Sequence, residues 1–597
     1  MGFRKLTRVT LLRLVSLPFP AAVQLRETRY TSSVDFTFES QLPSWMTFIS
    51  GGMPILFVAP HGGRRPPEAP ILDSIKVNDL HTADLTATLA QLTGGYALIN
   101  HERDRNELDL NRVSQVRKEA IWFLEALNEL LVTLVAHHGE ARVFFMHGWN
   151  VVQPVCDLGL GLKQRGNTVV PASKFAAPTL SAQFFTEAVL PFRDAAVIRG
   201  IDVAIGRRYP AADKNNVMQL FSKRFADDCS PVIQTLAQLS MDGKVNAVQC
   251  ELGVGLRWPG PERDAFIEIF CQTLGQTQPQ TQVSSLEFSS LTVPRRTHPT
   301  AHLNGAPLPL RLASEAVRLG LHFHDPTSGL GLLGGIECDP AESTHSGRLM
   351  MFLGGTEMVL FTGEDDSATD PSRVHVGGLT WQTQPTGFAI SYRGTVMRFS
   401  HPQAFIRLED GLAASWVEPA EMKLTLTLPV PLPSPPVPLY LAHLRGEVNL
   451  RDRRYVLDAW GFLDSLKPEE TGRLMPRRLL SLPFGPDLGV FLYWVETLDG
   501  PRSAGVIYHH GEPHALQPED WQLHYTLHEG RPRAFRVALT PPTPLTLHCD
   551  GETLTHIPIV RHAPQGNALD VTFGLSRALW QGREALGIYE FSERRKD

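Results

Sequence analysis

Four polar residues in the first half of the chain stand where apolar runs break off. His61 follows the run Ile55 to Val58 in PILFVAPHGG, and His147 follows ARVFFM and precedes Gly148. Glu251 closes the run VNAVQC, and Asp79 stands at the head of LHTADLTATLAQL. Two neutral imidazoles and one carboxylate with an open fourth position form the usual ligand set of a hydrolytic zinc. Such an ion lowers the pKa of its bound water to about 7, and a second carboxylate outside the ligand set must then take and return the proton. Glu251, alone at the end of its own strand, suits that task. Each residue also has an ordinary role open to it. Asp79 is in place for a helix N-cap, Glu251 for a solvated strand end, and each histidine for a Gly-rich turn. A substrate carboxylate would call for a cationic fork, and HERDRNELDLNR supplies Arg103, Arg105 and the pair Asn111-Arg112.

The elements that must position these groups follow from periodicity. Residues 1–285 alternate strand and helix signals, which predicts an α/β domain with a mostly parallel sheet. The β-branched and aromatic runs before His61, His147 and Glu251 predict buried strands. Helices are expected from Asn78-Asp79 to Gly94-Gly95, over 119–137, from Asn216 to Leu239 and from Glu262 to Leu274. At the carboxyl edge of an open α/β sheet, strand ends face a cleft. A Gln-, Thr-, Ser- and Pro-rich stretch then predicts a linker over 286–315. Beyond it, short alternating runs such as GFAISYRGTVMRF and VFLYWVETLDG predict antiparallel β units at 316–430 and 438–597. PVPLPSPPVP, Pro429 to Pro438, reads as a stiff connection between them.

With 597 residues the chain exceeds one core. Its formal net charge of −6 is small for that length and its basic residues are scattered, which argues against a nucleic-acid partner. Six dispersed cysteines without a CxxC pair argue against a thiolate metal site and for a reducing, cytoplasmic location. No stretch reaches the roughly 20 apolar residues of a membrane span.

The order HGG, helix-starting acid, DLNR, strand-HG and strand-ending glutamate resembles the N-formylglutamate amidohydrolase-like branch of the zinc carboxypeptidase superfamily, over residues 45–275. The resemblance implies a carboxypeptidase-like fold, with Zn2+ on His61, His147 and Asp79, and Glu68 as a rival third ligand. It implies Glu251 as the general base and Asn111 and Arg112 as the holders of a substrate carboxylate. Asp157 matches a position that shapes the substrate side. Arg103 is the candidate for steadying the oxyanion, and Arg207 and Arg208 are further anion contacts. His81, His101, His137 and His138 read as surface or core histidines.

The stretches Gly446 to Leu466, Phe491 to Gly500 and Gly582 to Arg594 resemble the lipocalin-like double barrel of the carotenoid hydratase and AttH family. That implies a cavity for an elongated apolar ligand, with Tyr455, Asp458, Trp460 and Asp464 near its mouth, while Trp494 and Tyr589 read as core aromatics. The expected function is a zinc-dependent amidohydrolase acting on an N-acyl amino acid or γ-glutamyl-like amide, a small molecule carrying a carboxylate. The alternatives are a non-catalytic carrier of a hydrophobic molecule in the β half and an isoprenoid-modifying enzyme in that half.

Overall fold

Runs of β-branched and aromatic residues become the buried centre of the first half. In the computed structural model, the structure describes residues 36–65, 76–276, 288, 291, 318–339, 344–354, 356–366, 373–406, 408–428, 439–466, 476–497, 500–528, 530–540, 545–562 and 568–594. The strands of the α/β half are β1 Met46–Ile49, β2 Ile55–Ala59, β3 Tyr96–Asn100, β4 Ala141–Gly148 and β5 Val155–Gly159, then a small hairpin, β6 Leu162–Arg165 and β7 Thr168–Pro171, and finally β8 Asp202–Ile205 and β9 Val245–Leu252. Every residue of β2, β3, β5 and β9 is buried, as expected where helices cover both faces of a sheet.

Seven of these strands form one sheet in the order β1-β3-β2-β4-β9-β5-β8. The pairings β3–β2, β2–β4, β4–β9 and β5–β8 are parallel, whereas β1–β3 and β5–β9 are antiparallel. The sheet is therefore mixed. The loop from Trp149 to Pro154 is too short for a crossover helix, so β5 returns in the opposite direction beside β9.

Helices run over Thr82–Thr93, Ile121–His138 and Pro261–Gln272, close to expectation. The expected helix from Asn216 to Leu239 is instead two 3-10 turns, Val217–Phe221 and Lys223–Phe225, followed by a helix over Pro231–Met241. Pro231 has no N–H to donate and can only begin a helix, so the chain restarts there. Among the described residues no single helix is long and apolar enough to cross a membrane. The bent pair Val113–Glu119 and Ile121–His138 passes on composition together, but its axes differ by 102°. All six cysteines are free.

The β half builds two sheets. In the first, eight strands close on themselves: Arg318–Asp325, Leu330–Asp339, Thr344–Leu353, Glu357–Asp366, Gly387–Phe399, Trp416–Thr427, Leu439–Leu450 and Arg453–Leu466. The closing seam pairs Met358 with Phe399 and Leu360 with Met397. This is a closed eight-stranded antiparallel barrel, and its alternate residues (Leu319, Leu321 and Phe323, or Phe388, Ile390 and Tyr392) belong to one continuous buried cluster. The second sheet, from Arg477–Pro483 to Arg583–Arg594, stays open, with Glu512–Leu516 and Trp521–His528 at its two edges. The expected double barrel is thus one closed barrel and one open half-barrel. The change of sheet also falls later than 430–438, because Leu439–Leu450 and Arg453–Leu466 complete the first barrel. The segment Pro429 to Pro438, and the expected linker 286–315 apart from Phe288 and Leu291, lie outside the described residues.

Leu80, Val152, Val254 and Trp258 of the α/β half belong to the same core cluster as the first barrel. The two halves are packed together on apolar surface.

Candidate metal centre

Parallel order brings the ends of β2, β4 and β9 to one edge of the sheet, and each delivers a polar side chain there. His61 follows β2 after Pro60, His147 is near the end of β4, and Glu251 lies in register with His147 on β9. Glycine is required at the turns. A Cβ on Gly62 would lie 2.5 Å from the Asn100 carbonyl oxygen, and one on Gly148 would lie 2.4 Å from Arg257 Nη1.

Asp79 arrives from the loop before the first long helix. That helix begins at Thr82, not at Asp79, and its cap position is His81, with φ 65° and no side-chain cap. Only the Asp79 backbone carbonyl serves the helix start, accepting from Thr82 Oγ1 at 2.6 Å. Its carboxylate is turned into the site. Oδ2 lies 3.2 Å from His61 Nδ1 and 3.1 Å from His147 Nδ1, and the two rings are 4.9 Å apart. One donor atom from each of the three residues lies within 4.8 Å of the others. Ligands about 2.0–2.1 Å from a tetrahedral zinc are themselves about 3.3 Å apart, so these separations suit that ion.

The surrounding groups fix these donors in place. His61 Nε2 meets Asp109 Oδ1 at 2.7 Å, the carboxylate–histidine arrangement that orients a metal-ligating imidazole. His147 Nε2 is buried without a partner. Arg105 Nη1 donates to Asp79 Oδ1 at 3.0 Å. Arg257, completely buried, donates to the Leu80 carbonyl at 2.8 Å, the Trp149 carbonyl at 3.2 Å and Asn150 Oδ1 at 3.1 Å. A single guanidinium thereby ties together the segments that follow Asp79 and His147.

Burial and charge set the protonation pattern. Burial pushes the Asp79 carboxyl up, but Arg105 and the hydrogen bonds from both imidazoles outweigh it and hold the group well below its ordinary value. Asp109 is likewise held down, because the His61 bond and the charges of Arg105 and Lys76 outweigh its burial. Burial lowers His147 to about 4 despite its bond to Asp79. Glu251 goes the other way. Burial, then the charge of Asp79, raise its carboxyl well above the usual range. The centre thus offers an ionised carboxylate and a neutral imidazole to a cation, beside a carboxylate, Glu251, whose affinity for a proton is raised.

A cavity of about 410 Å³ opens on the centre, lined by Asp79, His147, Glu251, Arg105 and Asn111. Asn111 Oδ1 is buried without a partner. The other expected residues stand elsewhere. Arg103 pairs with Glu107 at 3.0 Å and its side chain is 45% exposed, so Arg105 takes the place beside the centre expected for it. Arg112 turns toward Asp109 at 3.6 Å and does not line the cavity. Arg207 pairs with Asp202 at 2.8 Å and reaches Asp365 of the barrel, while Arg208 is exposed. Asp157 accepts the backbone N–H groups of Arg207, Arg208 and Tyr209 and so shapes that loop. Glu68 lies outside the described residues. Lys76, Val77, Trp149, Asn150 and Tyr209 also line the cavity without having been singled out in the sequence. Lys76 and Val77 lie just ahead of Asp79, and Trp149 and Asn150 just after His147. Proximity to Asp79 and His147 was the signal for these four, whereas Tyr209 lies in the loop after β8, next to Arg207 and Arg208.

In the β half, Asp458 is exposed and bonds His443 at 2.6 Å, and Trp460 stacks on the same ring. Asp464 is fully buried against His322. Tyr589 is buried in the half-barrel core, and Trp494 packs against that core.

No family model matches the sequence, and no curated protein matches it. Among solved structures, the chain is similar to an AttH protein from Nitrosomonas europaea, with 10% identity, 50% of this chain and 99% of that one covered, and a TM-score of 0.30. It is similar to kievitone hydratase from Nectria haematococca, with 8% identity, coverages of 47% and 89%, and a TM-score of 0.30. It is also similar to N-formylglutamate amidohydrolase from Ralstonia eutropha JMP134, with 13% identity, coverages of 38% and 94%, and a TM-score of 0.26. Likenesses of this strength leave the chemistry to be argued from the site itself.

Proposed function

We propose that this protein is a metal-dependent hydrolase of amide C–N bonds, with His61, Asp79 and His147 holding zinc. The observation that carries the reading is the sharing of Asp79 Oδ2 by two imidazole Nδ1 atoms, at 3.2 and 3.1 Å, on the wall of a cavity that Glu251 also lines. Zinc in such a site supplies a Lewis acid and a bound water with a pKa near 7. Glu251 accepts a proton from the attacking water and returns it to the departing nitrogen, so that the acyl–nitrogen bond breaks to an acid and an amine. Arg105 stands beside Asp79 to face the negative charge that develops on the carbonyl oxygen. Asn111 and Lys76, on the same wall, suit a substrate carboxylate, as in an N-acyl amino acid or a γ-glutamyl-like amide. The two aromatic rings of Trp149 and Tyr209, 5.7 Å apart, give that polar cavity an apolar side.

The test uses the purified full chain from zinc-supplemented culture, with metal content measured by mass spectrometry and turnover on a panel of N-acyl amino acids. The wild type is expected to hold one zinc, and His61→Ala or His147→Ala to lose both the metal and turnover. A wild type without zinc, or a His61→Ala variant with undiminished zinc, would overturn the proposal.

A further inference from the structure

The segment that delivers Asp79 is not held by the α/β sheet alone. Glu409 sits in the short helix Leu408–Ala413, between the strands Gly387–Phe399 and Trp416–Thr427 of the first barrel. Its carboxylate reaches across to the other half of the molecule. Oε1 accepts from the Arg65 N–H at 2.9 Å, and Oε2 accepts from the Asn78 N–H at 3.3 Å and from Asn78 Nδ2 at 3.2 Å. Asn78, itself buried, also donates to Asp104 Oδ1 at 3.0 Å and accepts from the Arg105 N–H at 3.0 Å. One side chain from residue 409 therefore fixes the residue next to Asp79. Through Asn78 it also fixes the backbone of Arg105, whose guanidinium lies on the cavity wall.

The loop after His147 is clamped to the same barrel. The N–H groups of Val152 and Gln153 both donate to the Thr362 carbonyl at 3.0 Å, and Gln153 Oε1 accepts from the Glu364 N–H at 3.0 Å. The fit is close, since a Cβ on Gly377 would lie 2.6 Å from Gln153 Cδ.

Ligands carried on loops bind a metal well only when those loops are already held in the bound geometry. A carboxylate that satisfies three donors on the ligand-bearing segment does that work for Asp79. We infer that the first barrel is part of the framework of the metal centre, with Glu409 as a positioning residue for Asp79. This rests on the hydrolase reading above.

The experiment compares full-length wild type, Glu409→Ala, Glu409→Gln and Asp410→Ala, the last changing the exposed neighbour on the same helix. Zinc affinity is read by competition with a chromogenic chelator, ligand geometry by the visible spectrum of the cobalt(II)-substituted protein, and folding by the melting temperature of the metal-free form. Loss of a supporting contact around a metal ligand weakens binding by about 10–100-fold. Glu409→Ala is expected near the upper end with shifted cobalt bands, Glu409→Gln near tenfold, and Asp410→Ala unchanged. If Glu409→Ala does not fold, Glu409→Gln decides on the same readouts, because it keeps the shape and removes one acceptor. Zinc affinity within twofold of wild type and an unshifted cobalt spectrum would overturn the inference. A wild type that binds no zinc overturns the hydrolase reading and this inference together, whereas a zinc-binding wild type with unaffected Glu409 variants overturns this inference alone.

Discussion

In the α/β half, two histidines share one oxygen of Asp79 at the carboxyl edge of a sheet; in the first barrel, His322 meets Asp464 at 2.6 Å within the barrel wall. Both sets are almost completely buried. The barrel pair is placed by local register. Gly320 lies opposite Asp464, and a Cβ there would come within 2.1 Å of Asp464 Oδ2, so the missing side chain makes room for the carboxylate beside His322. Burial pushes Asp464 up, but its bond to His322 and the charge of Arg318 outweigh that and hold it down. The pair joins two neighbouring strands, Arg318–Asp325 and Arg453–Leu466, as a cross-strand lock. The α/β set gathers residues from two strand ends and a loop around one point, beside a cavity that Glu251, at a third strand end, also lines. Burial of a histidine against an acid is thus common to a lock and a reactive centre. Convergence from separate chain ends onto open space separates them.

Substitutions can break or sharpen this contrast. The largest effect is expected at Glu251. Glu251→Gln should retain zinc, by metal analysis, while kcat/KM on the best N-acyl amino acid falls about 10²–10⁴-fold, the usual worth of a general base; unchanged turnover would remove Glu251 from that role. His322→Leu should leave zinc content untouched and lower stability by about 3–5 kcal/mol in denaturant titration, because a buried carboxylate loses its partner. A loss of zinc there would erase the distinction between lock and centre.

The smallest effect concerns acid stability, through His324, two residues along the same barrel strand. Burial lowers His324 to about 4, and its Nδ1 has no hydrogen-bond partner. Its folded-state pKa is below the unfolded value of about 6.5, so the unfolded chain takes up the proton first. The stability it contributes is complete above about pH 6.5 and is lost as the pH falls from there to about 4, by up to about 3 kcal/mol. His324→Asn should flatten that part of the stability–pH curve measured by denaturant titration; an unchanged slope would show that other groups carry it.

Much of the centre could be read from local pattern. A strand that stops at Pro-His-Gly-Gly, and another at His-Gly, announce strand ends, and in a parallel sheet such ends share an edge. The same pattern misled where geometry is set by one or two residues. The helix expected to start at Asn78-Asp79 starts at Thr82 instead, which leaves the Asp79 carboxylate free of any capping role. Arg103 and Arg105 are equivalent by spacing. The clamp of Asn100 on the backbone of Arg103 leaves its side chain outward, and Arg105 is the one beside Asp79. Arg257 and Glu409 carry no motif.

What the sequence determined by itself is the set of strand ends and their chemistry, because hydrophobic periodicity and glycine turns are local properties of the chain. It also separated the α/β half from the β half by their periods. Only the tertiary structure decided that the first β sheet closes with strands beyond residue 438, and that Glu409 reaches Asn78 across 331 positions. Contacts over such separations depend on how finished elements pack against one another, and no run of neighbouring residues encodes them.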